Sequence, residues 1–109
     1  MQLFNHYSGD TWHGLTLTVS QSGVPLNISG ASLAMEIRKA PGTPILYEWS
    51  TDDSTIALTD PANGKLTVNP RIIDLPSGVY PFDLEMALGE TVTTLIYGTF
   101  TITADITKR

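Results

Sequence analysis

Ser8, Asp10 and His13 lie within one short stretch and carry the residue types of a hydrolase triad: a hydroxyl nucleophile, an imidazole base and an orienting carboxylate. Triads are assembled from distant segments, however, and a serine nucleophile usually rides on a strained Gly-x-Ser-x-Gly elbow that this chain lacks. The stretch reads instead as a polar turn leading into a strand, with Asp10 hydrogen-bonded to backbone. His6 and His13 could ligate a metal together, but no third ligand stands at a telling spacing. Asp52, Asp53 and Ser54, with Asp60 nearby, offer the clustered carboxylates that calcium takes in loops. They lack the alternating Asp-x-Asp-x-Asp-Gly order, and a solvated loop is the simpler reading.

Asp83 and Glu85 stand two apart on a stretch that reads as a strand, about 7 Å from each other, a spacing that suits paired glycosidase carboxylates. An acidic pair at this interval is commonplace on a water-facing strand, and that is the simpler reading. Asn27-Ile28-Ser29 fits the glycosylation acceptor pattern, which carries meaning only in a secreted chain. No residue is assigned as catalytic, cofactor-binding or metal-ligating, no cofactor is expected, and a non-enzymatic role follows.

The elements that would position any such group come next. At 109 residues the chain suits one domain, long enough to bury one core without staples. An apolar content of 41% with 16% charge lies outside the regime of disordered chains. A net charge of −5, with bases scattered at Arg38, Lys39, Lys65, Arg71, Lys108 and Arg109, argues against nucleic acid and anionic membrane surfaces. Apolar runs are too short to span a bilayer. The opening Met-Gln-Leu-Phe-Asn-His has neither the basic nor the continuous apolar region of a secretory signal, so synthesis in a cytoplasm is expected. The absence of cysteine removes disulfides, thiol nucleophiles and thiolate metal sites.

Period-two alternation recurs along the chain, broken by Gly, Pro, Asn and Asp clusters, which is the signature of an all-β sandwich or barrel. Leu15, Leu17 and Val19 alternate with threonines; Leu33, Met35 and Ile37 alternate with Ala34, Glu36 and Arg38. Ile45, Tyr47 and Trp49 share a face opposite Leu46, Glu48 and Ser50, in a strand expected to be half-buried on both sides. The segments 56–59 and 65–69 flank Asp60-Pro61-Ala62-Asn63-Gly64 and read as a hairpin. Pro70 to Leu75 breaks the alternation, and Ile72, Ile73 and Leu75 suggest one short helical turn near 70–75. Tyr80, Phe82, Leu84 and Met86 then share one face. Ile96, Gly98, Phe100 and Ile102 point inward on the last strand, leaving Thr93, Thr99, Thr101 and Thr103 outside. Gly14 falls between Trp12 and Leu15, which have opposite parity, and a bulge there would turn both inward.

Tyr7, Trp12, Tyr47, Trp49, Tyr80, Phe82, Tyr97 and Phe100 could make a sugar-stacking platform if several were exposed together, but most have core parity. Tyr97 is the exception, since its neighbours claim the inward side, and it is the first candidate for a contact residue, with Thr99 and Thr101 beside it on the strand.

The order of the pieces adds a further expectation. Asp10-Thr11-Trp12 opens a Leu-Thr-Leu-Thr-Val strand, and 25–31 (Pro-Leu-Asn-Ile-Ser-Gly-Ala) precedes Leu33-Ala34-Met35-Glu36-Ile37-Arg38. Later, 75–80 (Leu-Pro-Ser-Gly-Val-Tyr) precedes Phe82-Asp83-Leu84-Glu85, and 98–103 (Gly-Thr-Phe-Thr-Ile-Thr) closes. This succession, covering nearly the whole chain, resembles the small immunoglobulin-like domains of tailed-bacteriophage tail and baseplate proteins, including the N-terminal domain of upper baseplate proteins. The resemblance implies an immunoglobulin-like antiparallel β-sandwich of about seven to eight strands spanning one domain. It also implies a structural role in the virion, made in the bacterial host cytoplasm, with other tail or baseplate proteins and further copies of the chain as partners. Within it, Gly78-Val79-Tyr80 looks like a tyrosine corner, the Tyr80 hydroxyl returning to backbone, with Trp12 and Gly78 as further structural positions. An alternative is a carbohydrate-binding adsorption module that recognises the host cell surface, for which exposed rings near Trp12, Tyr47 or Trp49 would be required.

Overall fold

The alternating segments settle into strands whose apolar sides meet across one core. The computed structural model describes residues 2–104; Met1 and residues 105–109, Lys108 and Arg109 among them, lie outside the described residues. Along the chain run β1 (Gln2–Tyr7), β2 (Thr11–Trp12), β3 (Leu15–Thr18), β4 (Ser20–Gln21), β5 (Val24–Pro25), β6 (Ser32–Arg38), β7 (Ile45–Ser50) and β8 (Ile56–Asp60). They continue as β9 (Lys65–Val68), β10 (Arg71–Ile72), β11 (Gly78–Leu88) and β12 (Thr91–Thr103). Eight of these have four residues or more, and the remaining four are two-residue bridges.

One sheet has the order β1-β12-β11-β6-β7 and the facing one β3-β9-β8, with the small pairs β10-β2 and β4-β5 at the margins. The protein is thus an all-β sandwich. Its strand order corresponds to the G-F-C-C′ and B-E-D sheets of the immunoglobulin arrangement. One pairing departs from an antiparallel scheme: β1 runs parallel to β12, from Gln2 opposite Gly98 to Tyr7 opposite Thr103.

Two-faced strands explain the layering. On β6, Leu33, Met35 and Ile37 are buried while Ala34, Glu36 and Arg38 are half-exposed. On β11 the buried set is Tyr80, Phe82, Leu84 and Met86, and on β12 it is Gly98, Phe100 and Ile102. Leu66 and Val68 of β9 and Ile56 of β8 meet them from the other sheet, and Trp49, Ile28 and Ile73 complete the fully enclosed centre. Pro81 lies opposite Thr99 of β12 and one residue before the β6 ladder begins at Phe82 opposite Ile37, so on the β6 side it stands outside the ladder.

Several expectations are corrected. No helical turn forms at 70–75. Arg71–Ile72 instead pairs with Thr11–Trp12, Ile73 donates to the Asp10 carbonyl at 3.2 Å, and its own carbonyl accepts from Gly9 at 2.8 Å. In that extended backbone Ile73 and Leu75 share the buried side and Ile72 points to water. The helical turn present is a 3-10 turn over Pro61–Asn63 that closes the β8-β9 hairpin. The strand expected around Gly14 is two strands, broken at His13-Gly14. Gly14 sits at φ +77°, and a Cβ there would lie 2.1 Å from the Val68 carbonyl oxygen. This kink lets Trp12 and Leu15 both meet the core. β7 is not half-buried on both sides: Trp49 is enclosed, whereas Ile45 and Leu46 are exposed, because it is an edge strand that leaves the sandwich at its start.

The Tyr80 hydroxyl donates to the Pro76 carbonyl at 2.7 Å, four residues back, from a ring that is 7% exposed. Gly78 holds φ +155°, and a Cβ there would meet the Tyr80 ring at 3.6 Å, an ordinary contact. Backbone freedom, not room, is what that position asks for. Tyr80→Phe is expected to cost about 1–3 kcal/mol in urea unfolding, the price of leaving the Pro76 carbonyl unpaired. An unchanged midpoint would mean that water takes over the bond.

Candidate functional site

The cross-strand register of the five-stranded sheet builds its outer face row by row. Leu3, Thr99 and Pro81 lie side by side on β1, β12 and β11. Asn5, Thr101 and Val79 form the next row, and Tyr97, Asp83, Glu36 and Glu48 cross the sheet on the other side. All have the parity opposite to the buried Phe82, Phe100 and Ile37. Thr99 and Thr101 are half-buried at the middle of an uncharged area from which Leu3 (65% exposed), Val79 (60%) and Tyr97 (59%) project. Tyr7 continues it at the end of β1. Apolar side chains that stand together in water on a rigid sheet are the usual mark of a protein contact surface.

Thr93 does not belong to this face. Leu95 is an extra residue between the pairs Leu84-Ile96 and Glu85-Thr94, so parity inverts beyond it. Thr94 therefore stands on the outer side opposite Glu85, while Thr93 stands opposite the buried Met86.

Next to the uncharged area the same face turns acidic. Ala34, Glu36, Arg38, Asp83 and Glu85 line an open groove of about 460 Å³ beside Pro41-Gly42. Its one cation, Arg38, is already engaged, pairing with Glu36 at 2.7 Å and donating to the Thr43 carbonyl. Asp83 and Glu85 are thus both present on one strand face, in an open groove and not in a water-excluding cleft.

The other chemistry-bearing residues are held in local turns. The Ser8 hydroxyl donates to the Leu75 carbonyl at 2.7 Å and to Asp74 at 3.1 Å, which ties β1 to the segment before the tyrosine corner. No histidine meets it, and His13 is exposed. His6 uses Nε2 to donate to the Asp10 carbonyl at 2.9 Å. Asp53 accepts from the Thr55 hydroxyl and from the Thr55 N–H at 3.0 Å, and these bonds, the hydroxyl first, hold its carboxyl below the usual carboxylate range. Asp60 accepts from the Asn63 amide at 3.0 Å, and Asn27 accepts from the Ser29 N–H at 2.9 Å. Among the described residues no three His, Asp or Glu side chains converge as a metal site requires.

The aromatic residues divide between core and surface. Trp12 and Trp49 are buried with ring centroids 5.3 Å apart, edge to face, and offer no ring face to a sugar. Tyr47 is half-buried, with the Arg71 guanidinium 4.7 Å above its ring and its hydroxyl accepting from the Asp74 N–H. Tyr7 and Tyr97 are the exposed rings. Sequence parity singles out Tyr97, Thr99 and Thr101, but not Leu3, Tyr7 or Val79, whose place beside them depends on the parallel docking of β1 and on the β11 register. No protein-family model, curated protein or solved structure matches the chain.

Proposed function

We propose that this chain is a non-catalytic structural domain of a bacteriophage or prophage tail or baseplate, located in the virion and acting through contacts with neighbouring tail proteins and with further copies of itself. The observation that carries this reading is the outer sheet face. Leu3, Val79 and Tyr97 stand exposed around Thr99 and Thr101 on strands fixed by a filled core. A rigid, uncharged face with exposed Tyr97 and Tyr7 is suited to docking against protein, because little side-chain entropy is lost on contact. The order of the strand segments, similar to that of phage tail and baseplate immunoglobulin-like domains, supplies the biological setting. The acidic groove beside the face would set orientation through charge and contribute less to affinity.

The test is mass spectrometry and gold-antibody labelling of particles purified from the producing host. The chain is expected in stoichiometric amount on the tail, and its absence from particles would remove the virion reading. Tyr97→Asp is expected to leave the unfolding midpoint within about 0.5 kcal/mol, as exposed substitutions do. It should nonetheless abolish incorporation. Normal incorporation of that variant would move the contact surface elsewhere.

A further inference from the structure

β12 is longer than the strand that covers it. On one side it pairs with β11 throughout, from Thr91 opposite Leu88 to Ile102 opposite Gly78. On the other side β1 reaches only from Gly98 to Thr103. Thr91–Tyr97 therefore presents a row of backbone groups with no ladder partner among the described residues, and no loop or side chain bonds to them. The edge steps outward at Gly98, where the Gln2 backbone comes so close that a Cβ would lie 1.8 Å from its carbonyl oxygen.

The other edges carry charged or polar residues, proline or few residues, whereas this one has only a bulge. β7 carries Glu48 and follows Pro44, β8 runs into Asp60-Pro61, β3 has four residues, and β1 carries Asn5 and His6. From Thr91 to Thr103 there is neither a charge nor a proline, and the residues are β-branched or aromatic apart from Leu95 and Gly98. The Leu95 bulge is the one irregularity.

We infer that Val92–Tyr97 pairs antiparallel with the same segment of a second copy, about a twofold axis at Thr94, joining two five-stranded sheets into one. This pairing, which rests on the assembly reading above, is favoured by self-fit. The open segment is bounded by the start of β1 at one end and by the Gly89-Glu90 turn at the other. With Thr94 opposite Thr94 and Leu95 bulged on each strand, Thr93 meets Ile96 and Val92 meets Tyr97, each pair on one face of the joined sheet. The pairs are uncharged and of the β-branched and aromatic kinds that stabilise sheets, and the contact is isologous and closes at two copies. A foreign strand would need its own sequence matched to the step. A second copy has it already.

Sedimentation equilibrium of the full chain from about 1 to about 500 μM should show a monomer–dimer equilibrium. It should tighten with added salt, because each copy carries −5 and the repulsion is screened. Thr94→Lys and Thr94→Glu place like charges across the axis, and each should weaken association at least about tenfold. Both should leave the unfolding midpoint unchanged at a dilution where the wild type is monomeric, since Thr94 is exposed. An equimolar mixture of the two variants should restore a heterodimer. A strictly monomeric wild type, or variants that associate like it, overturns the pairing. A monomeric wild type that is still incorporated into tails, with Tyr97→Asp excluded, would sink this inference alone. A dimer broken by Thr94→Lys in a chain absent from particles would sink the tail reading alone.

Discussion

Trp49→Ala should lower stability by about 3–5 kcal/mol, the range for emptying a large buried aromatic site. Trp49 is 0% exposed and sits where both sheets meet. Its ring meets Trp12 edge to face at 5.3 Å and Tyr47 at 6.4 Å, and the Arg71 guanidinium lies 5.4 Å from it. Its indole N–H donates to the Asn69 carbonyl at 3.1 Å, so one side chain ties β7 to the end of β9. Collapse cannot fill the void easily, because Trp12 is itself held by Phe4 and Phe100 at 5.7 and 5.5 Å. A domain of this size has about 5–15 kcal/mol in total, so the variant should be largely unfolded near its former melting temperature. Trp49→Phe separates the terms: it keeps most of the apolar area and loses the N–H bond, for an expected loss of about 1–3 kcal/mol. Urea titration of the three proteins decides, and a loss under about 1 kcal/mol for the alanine variant would show that the core does not depend on this ring.

The same residue shows how far the sequence reaches. Trp49 has core parity with Tyr47 and Ile45, yet only Trp49 is enclosed, because burial on an edge strand depends on what lies above each position. Alternation on β6, β11 and the last half of β12 is legible residue by residue, since those strands lie centrally with one face wet. The β8-β9 hairpin is legible because Pro61 and Asn63-Gly64 mark its turn. Hidden from local pattern are the contacts that need a distant partner. The extended run at Arg71–Ile72 is held by Thr11–Trp12, and its Ile72-Ile73-Leu75 spacing fits a helical turn equally well until that partner is known. β1 has adjacent apolar residues, Leu3 and Phe4, that point to opposite faces, so its period says nothing of its docking. The Leu95 bulge inverts the threonine faces with no Gly or Pro to announce it. The candidate surface was therefore half visible: Tyr97, Thr99 and Thr101 follow from one strand's parity, whereas Leu3 and Val79 join them only through register.

Gly98→Ala should have the second large effect, and for a reason opposite to a cavity. Gly98 does not occupy the left-handed region, so alanine suits its backbone. What fails is space: the new Cβ would lie 1.8 Å from the Gln2 carbonyl oxygen and 2.7 Å from its carbon, both backbone atoms that no rotamer can move. The start of β1 must lift. Phe4 sits on that strand with its ring 4.9 Å from Phe100 and 5.5 Å from Phe82, so lifting also withdraws a core side chain. Overpacking costs about 1–3 kcal/mol and lost burial of one aromatic about 1.5–3 kcal/mol, so a loss of about 3 kcal/mol is expected in urea unfolding. The consequence for assembly has a definite sign. With β1 displaced, the uncovered edge of β12 would run on past Tyr97 through Phe100 to Thr103, a longer uncharged template for another strand. Gly98→Ala should therefore be less stable and more prone to associate, with protection of the β12 amides from hydrogen exchange falling from Gly98 onward. A variant with unchanged stability and unchanged exchange would show that β1 does not depend on that close approach, and the stepped edge would then have to be redrawn.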